Sequence, residues 1–196
     1  CAGDLLDTSP SYSFSSSNVW TSPILARAAV MGVYNELYEK FSKNYDSPSI
    51  GIPFDAWSSV MDIDMNWKNN CFVISGSCTP SNGNVGNHYK YYYTVVYRAN
   101  DVINNIDNVP EMDDSEKARL KAECKFLRAW AYYHLNVLWR GVPIYMENVE
   151  SSEATKARSS EAEVWEQILS DLTDCINEPN LPGKYAQGNS SYGRIT

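Results

Sequence analysis

The chain has 196 residues, 43% of them hydrophobic, enough to bury a core as one domain or to be one part of a larger one. A net charge of −8 leaves no basic stripe to neutralise phosphates, which excludes nucleic acid as a partner and leaves an anionic membrane surface nothing to attract. His88 and His134 lie far apart and outside zinc-type Cys/His spacings, and no apolar run approaches the roughly twenty residues that cross a bilayer, so no metal, cofactor or spanning helix is expected.

Residues 1–21 are rich in Ser, Asp and Asn without periodicity and read as a tether and arm lying on the fold. Residues 22–196 read as one helical domain. Ser22 and Pro23 supply an N-cap and a first-turn proline. Ile24, Ala28, Met31, Tyr34, Tyr38 and Phe41 then recur at helical spacing, which predicts a first helix ending near Asn44, before Pro48.

Residues 45–87 differ in kind. Pro48, Gly51, Pro53, Gly76, Pro80, Gly83 and Gly86 punctuate a stretch with scattered aromatics and no sustained period, so it reads as a long irregular excursion. Compact domains seldom carry such loops without a use for them.

A helical hairpin follows. Tyr92, Val95, Val96, Ala99, Val102, Ile103 and Ile106 line one face of a helix that Pro110 stops. Leu120, Cys124, Leu127, Ala131, Leu135 and Leu138 line a second, with Asp113, Asp114 and Glu116 near its positive end and Gly141 and Pro143 as stop signals. The short link makes the two helices antiparallel neighbours. After a connection over residues 144–159, Ser160 and Glu163 form a capping box for a fourth helix, whose apolar face is Val164, Ile168, Leu172, Cys175 and Ile176. Pro179 and Pro182 end it. The expected fold is mainly α, built of tetratricopeptide-like antiparallel helix pairs with a long irregular loop inserted.

Arg-Ala-Asn at 98–100, Phe-Leu-Arg-Ala at 126–129 and Gly-Val-Pro at 141–143 stand on this hairpin. Leu-Leu-Asp-Thr near the start, Gly-Val-Tyr at 32–34, Ile168-Leu169-Ser170-Asp171-Leu172 and the closing Gly193-Arg194-Ile195-Thr196 flank it. Together, and in this order, they resemble the SusD/RagB family of surface glycan-binding lipoproteins. The resemblance implies capture of oligosaccharide or polysaccharide at the surface of a Gram-negative bacterium and delivery to a TonB-dependent, SusC-like transporter of the outer membrane. It also implies that the chain is the family's N-terminal helical domain, incomplete at its C-terminus, with its last residues having little to pack on. Cys1 fits the acylated first residue of a mature lipoprotein, so contact with the membrane is expected through an N-terminal lipid alone.

Carbohydrate binding needs flat aromatic faces for the apolar side of a sugar ring, with amides and carboxylates nearby for its hydroxyls. The excursion holds both: Trp57 and Trp67 flank Asp62, Asp64 and Asn66, Asn69 and Asn70 follow, and Asn82 and Tyr89 sit at its far end. The competing reading is that both tryptophans are buried and anchor the loop. The order Asp62, Asp64, Asn66 opens like a calcium loop but fails at Trp67 and Val73, where a glycine and a glutamate are required. Cys71 and Cys78 are candidates for a disulfide stapling the same loop, whereas Cys124 and Cys175 sit on apolar helix faces and read as buried thiols.

Arg98, Asn100, Arg128, Gly141 and Pro143 read as structural members of the family-like motifs. Arg128, between Leu127 and Ala129, is expected to reach carbonyls or a carboxylate of the next helix. No nucleophile stands at a motif spacing from a histidine, and Asp62 and Asp64 do not converge like a glycosidase pair, so no enzyme is expected. The alternative function is a helical module that captures peptide or protein instead of glycan.

Overall fold

The structure is a computed structural model that describes residues 19–42, 81, 83–148 and 155–196. Among the described residues every regular element is helical. A 3-10 turn, Val19–Thr21, leads into α1, Pro23–Ser42. Then come α2, Gly83–Asn105, with a 3-10 turn at Ile106–Asn108; α3, Asp114–Trp139; and α4, Glu161–Ile176. Each of α1, α3 and α4 falls where the hydrophobic spacing puts it.

α3 is the centre of the packing, in contact with both α2 and α4, while α1 packs mainly on α2 and also touches α3. The apolar stripes meet there: Ala26, Val30 and Val33 of α1, Val95, Ala99 and Val102 of α2, Leu120, Leu127 and Leu135 of α3, and Val164 and Ile168 of α4 are all buried. Each fully buried leucine of α3 contributes about 1.5–3 kcal/mol over its exposed state. This is the expected tetratricopeptide-like arrangement of antiparallel helix pairs.

The helix ends are set by local chemistry. Ser160 accepts from the Glu163 amide while the Glu163 carboxylate accepts from the Ser160 amide at 2.7 Å, completing the capping box at the start of α4. At the end of α3, Arg140 is left-handed with φ 54° and Gly141 has φ 88°. Arg158 donates to the carbonyls of Trp139, Arg140 and Gly141, placing a cation on the negative end of α3.

Two expectations change. α2 starts at Gly83, so the last residues read as irregular, up to Asn87, are helical. Glycines at 83 and 86 are weak helix formers, but burial of His88, Tyr91 and Tyr92 against the fold outweighs that local preference. The chain end also has a berth. Arg194 donates to the buried Glu123 carboxylate, the Ile195 amide donates to Tyr34 Oη at 3.1 Å, and Ile195 packs on the core.

Candidate functional site

The site begins with four consecutive carbonyls. Residues 143–146, leaving α3, have no regular partner strand, yet each carbonyl accepts from a side chain. Tyr93 Oη donates to Pro143 at 2.7 Å, Lys156 Nζ to Ile144 at 2.7 Å, Asn100 Nδ2 to Tyr145 at 2.9 Å and Asn104 Nδ2 to Met146 at 3.1 Å. Tyr132 adds a second lock, donating to the Tyr145 carbonyl at 2.9 Å and accepting from its amide at 2.7 Å. An irregular segment tied this way is a rigid wall.

Asn100 is itself held. Its Oδ1 accepts from Arg128 Nη1 at 2.7 Å, and Arg128 grips Asp171 of α4. The network therefore runs from α4 through α3 and α2 to the wall, and Arg128 has the interhelical role expected of it. Arg98 is structural as well: it donates to the Gly32 carbonyl at 2.9 Å and pairs with Glu36 of α1 at 3.0 Å. Gly141 lets the wall turn off α3, since a Cβ there would stand 2.6 Å from the Ser159 carbonyl oxygen.

Between this wall and α2 lies a cleft of about 680 Å³, within the range of small-ligand sites. Its α2 side is a row of tyrosines, Tyr89, Tyr93 and Tyr97, with Thr94 and Lys90 beside them; its other side carries Tyr145, Glu147, Asn148 and Lys156. Tyr89 is propped by Trp139, edge-on at 5.2 Å, and by Tyr93, tilted at 4.8 Å. Burial pushes the Tyr93 phenol far above its ordinary pKa, so it remains a neutral donor to Pro143. Tyr97 is 56% exposed. Lys156 sits over the Tyr145 ring at 5.8 Å.

Of the residues expected to bind glycan, Tyr89 lines this cleft. Trp57, Asp62, Asp64, Asn66, Trp67, Asn69, Asn70 and Asn82 lie outside the described residues, as do Cys1 and the candidate pair Cys71 and Cys78. Cys124 and Cys175 are buried free thiols, as their helix faces imply. Sequence reasoning passed over Tyr93, Tyr97, Tyr145, Glu147 and Asn148. The signal was present in the spacing of Tyr89, Tyr93 and Tyr97 at i, i+4 and i+8, which makes a second stripe beside the packed one.

Among the described residues no His, Cys, Asp or Glu group is arranged to hold a metal ion, and no helix is long and apolar enough to cross a membrane. The arrangement is a helical scaffold presenting a rigid, tyrosine-walled cleft.

The chain belongs to the SusD-like family, whose model, described as "Starch-binding associating with outer membrane", matches residues 4–186. The SusD-like protein P25 of Formosa agariphila is 27% identical over 154 residues, covering 74% of this chain and 29% of that relative. A laminarin binding SusD-like protein shares the fold with a TM-score of 0.76 at 25% identity, over 90% of this chain and 38% of that one. Surface glycan-binding protein A from Bacteroides thetaiotaomicron, in complex with laminarihexaose, superposes with a TM-score of 0.70 at 21% identity, over 90% of this chain and 36% of that one, a likeness of fold alone. The chain thus spans about a third of the length of the proteins it resembles.

Proposed function

We propose that the protein to which this chain belongs captures oligosaccharide or polysaccharide at the cell surface and passes it to a TonB-dependent, SusC-like transporter of the outer membrane. The observation that carries the reading is the family match over residues 4–186. Likeness to a laminarin binding protein supports sugar as the ligand class, and the tyrosine-walled cleft supplies the aromatic surface that sugar binding needs. Affinity arises from stacking and hydroxyl hydrogen bonds, without bond cleavage. Attachment to the outer membrane runs through a lipid on Cys1, in keeping with the family's outer-membrane association.

In this reading the aromatic and amide residues from Trp57 to Asn82 take part in glycan binding together with Tyr89. The test is affinity electrophoresis of the longest natural form against plant, host and microbial polysaccharides, with a Trp57→Ala, Trp67→Ala double variant alongside. Retardation by one glycan, lost in the variant, supports both capture and the part these residues play in it. Retardation undiminished in the variant removes the tryptophans from the site, and retardation by no glycan removes the reading.

A further inference from the structure

α4 carries two apolar stripes. The first, Val164, Ile168 and Cys175, is buried against the fold. The second, Trp165, Leu169, Leu172 and Ile176, advances in steps of four, three and four and turns outward, leaving Leu169 61% and Ile176 83% exposed. A surface helix needs one such stripe; a second means that a second side is meant to be covered. Glu166, Ser170 and Thr173, all exposed, bound it on the solvent side, so the apolar residues form a defined strip.

α3 widens the strip. Phe126, Trp130, Tyr133 and Val137 advance in the same steps of four, three and four. Tyr133 is 46% and Val137 49% exposed, and the Tyr133 ring meets Trp165 edge-on at 5.7 Å. The two helices are antiparallel, since Lys125 pairs with Asp174 while Asn136 Nδ2 donates to the Glu161 carbonyl. Their second stripes therefore flank one groove, from Phe126 and Ile176 at one end to Val137 and Trp165 at the other. Eleven residues of α3 separate its ends, about 16 Å, the length of a helix of about three turns.

The end of the chain is berthed at the near end of this groove. Glu123, three residues before Phe126 in the same row of α3, accepts from Arg194, and the Ile195 amide donates to Tyr34. The chain spans about a third of the length of the proteins it resembles.

We infer that the groove between α3 and α4 seats the segment that follows Thr196 in the longer protein. That segment leaves the Glu123 berth as a helix, runs antiparallel to α4 towards Val137, and turns an apolar face onto Tyr133 and Leu169. A segment tethered at Ile195 reaches the groove at a high effective concentration, an advantage that a second copy of the protein lacks. Burial of Leu169 and Ile176 then supplies the association. This packing is independent of what the protein captures.

The experiment uses the longest natural form with p-benzoylphenylalanine in place of Tyr133, irradiated and digested for mass spectrometry. Cross-links are expected within one molecule, to the first twenty or so residues after Thr196, about the reach of the proposed helix and its turn. Cross-links to a second molecule, to residues 1–18 or 43–80, or to no peptide overturn the inference. Hydrogen exchange supplies a readout free of the cross-linker. The segment after Thr196 is expected to be protected in the parent, and Leu169→Asp to speed its exchange about tenfold while residues 95–103 of α2 keep their protection. Glu166→Ala, on the polar edge of the same helix, is expected to leave that exchange unchanged. An unprotected segment in the parent, or one indifferent to Leu169→Asp, overturns the inference.

Discussion

Arg128 and Asp171 meet face to face in the middle of the molecule. Nε lies 2.8 Å from Oδ2 and Nη2 2.7 Å from Oδ1, with the two side chains 3% and 2% exposed. The third guanidinium nitrogen holds Asn100, so a single residue of α3 ties α4 to α2. Removing one partner strands a buried charge, at a cost of about 3–5 kcal/mol. Asp171→Ala is therefore expected to lower the urea midpoint sharply. The double variant Arg128→Met, Asp171→Leu, which buries no charge, should recover much of the loss. Equal midpoints for Asp171→Ala and the parent would contradict the bridging role.

A second hub lies at Glu123, which is fully buried. Arg119 donates to its Oε1 at 2.7 Å, while Tyr34 at 2.8 Å and Arg194 at 2.9 and 2.6 Å donate to Oε2. Arg194→Met removes two of these charge-assisted bonds and should cost roughly 1.5–3 kcal/mol. Hydrogen exchange should then show the Ile195 amide, now bonded to Tyr34, losing protection while the middle of α3 keeps it.

Gly141 and Gly188 share φ 88°, but only Gly141 is crowded, with backbone atoms of Ser159, Ser160 and Glu161 within 3.2 Å of a built Cβ. Placing an L-residue in the left-handed region costs about 1–2 kcal/mol. Gly188→Ala should show no more than that, whereas Gly141→Ala adds a backbone clash and should lower the thermal midpoint further. Because the wall of the cleft starts at this turn, Gly141→Ala should also loosen it, seen as faster exchange of the Tyr145 amide.

His134 is stacked on Tyr92, with rings 5.2 Å apart and 8° from parallel, and burial lowers its pKa to about 4. The unfolded chain titrates near 6.5, so on acidification the unfolded state takes up the proton first. Stability from the neutral ring is complete above pH about 6.5 and is lost as pH falls towards 4. Glu116, held low by Arg27, acts in the same direction but below its ordinary range near 4.5. Urea midpoints between pH 6.5 and 5 should therefore fall for the parent and stay level for His134→Phe.

The helices were legible because their information is local. Periodic apolar residues, the Ser160–Glu163 box and the Gly141 stop are all written within a few residues of the feature they make. Arg128 was legible too, since a charged residue inside an apolar stripe must find a partner. The opening turns of α2 were not, because Gly83 and Gly86 argue locally for a loop and only packing at Tyr91 and Tyr92 overrules them. The cleft was hidden for a related reason. Its wall depends on Asn100, Asn104, Tyr93 and Lys156 converging on carbonyls forty or more residues from the asparagines and tyrosine that bond them, or a dozen from the lysine. No spacing within the chain announces that convergence. Nor does any announce the docking of Arg194 on Glu123, 71 residues away.

The central claim is that the protein captures sugar, and a fluorescently labelled longest natural form applied in parallel to a glycan array and a peptide pool tests it most directly. The account predicts signal on a related set of oligosaccharides and none above background on peptides. Binding to peptides with no glycan signal would contradict it.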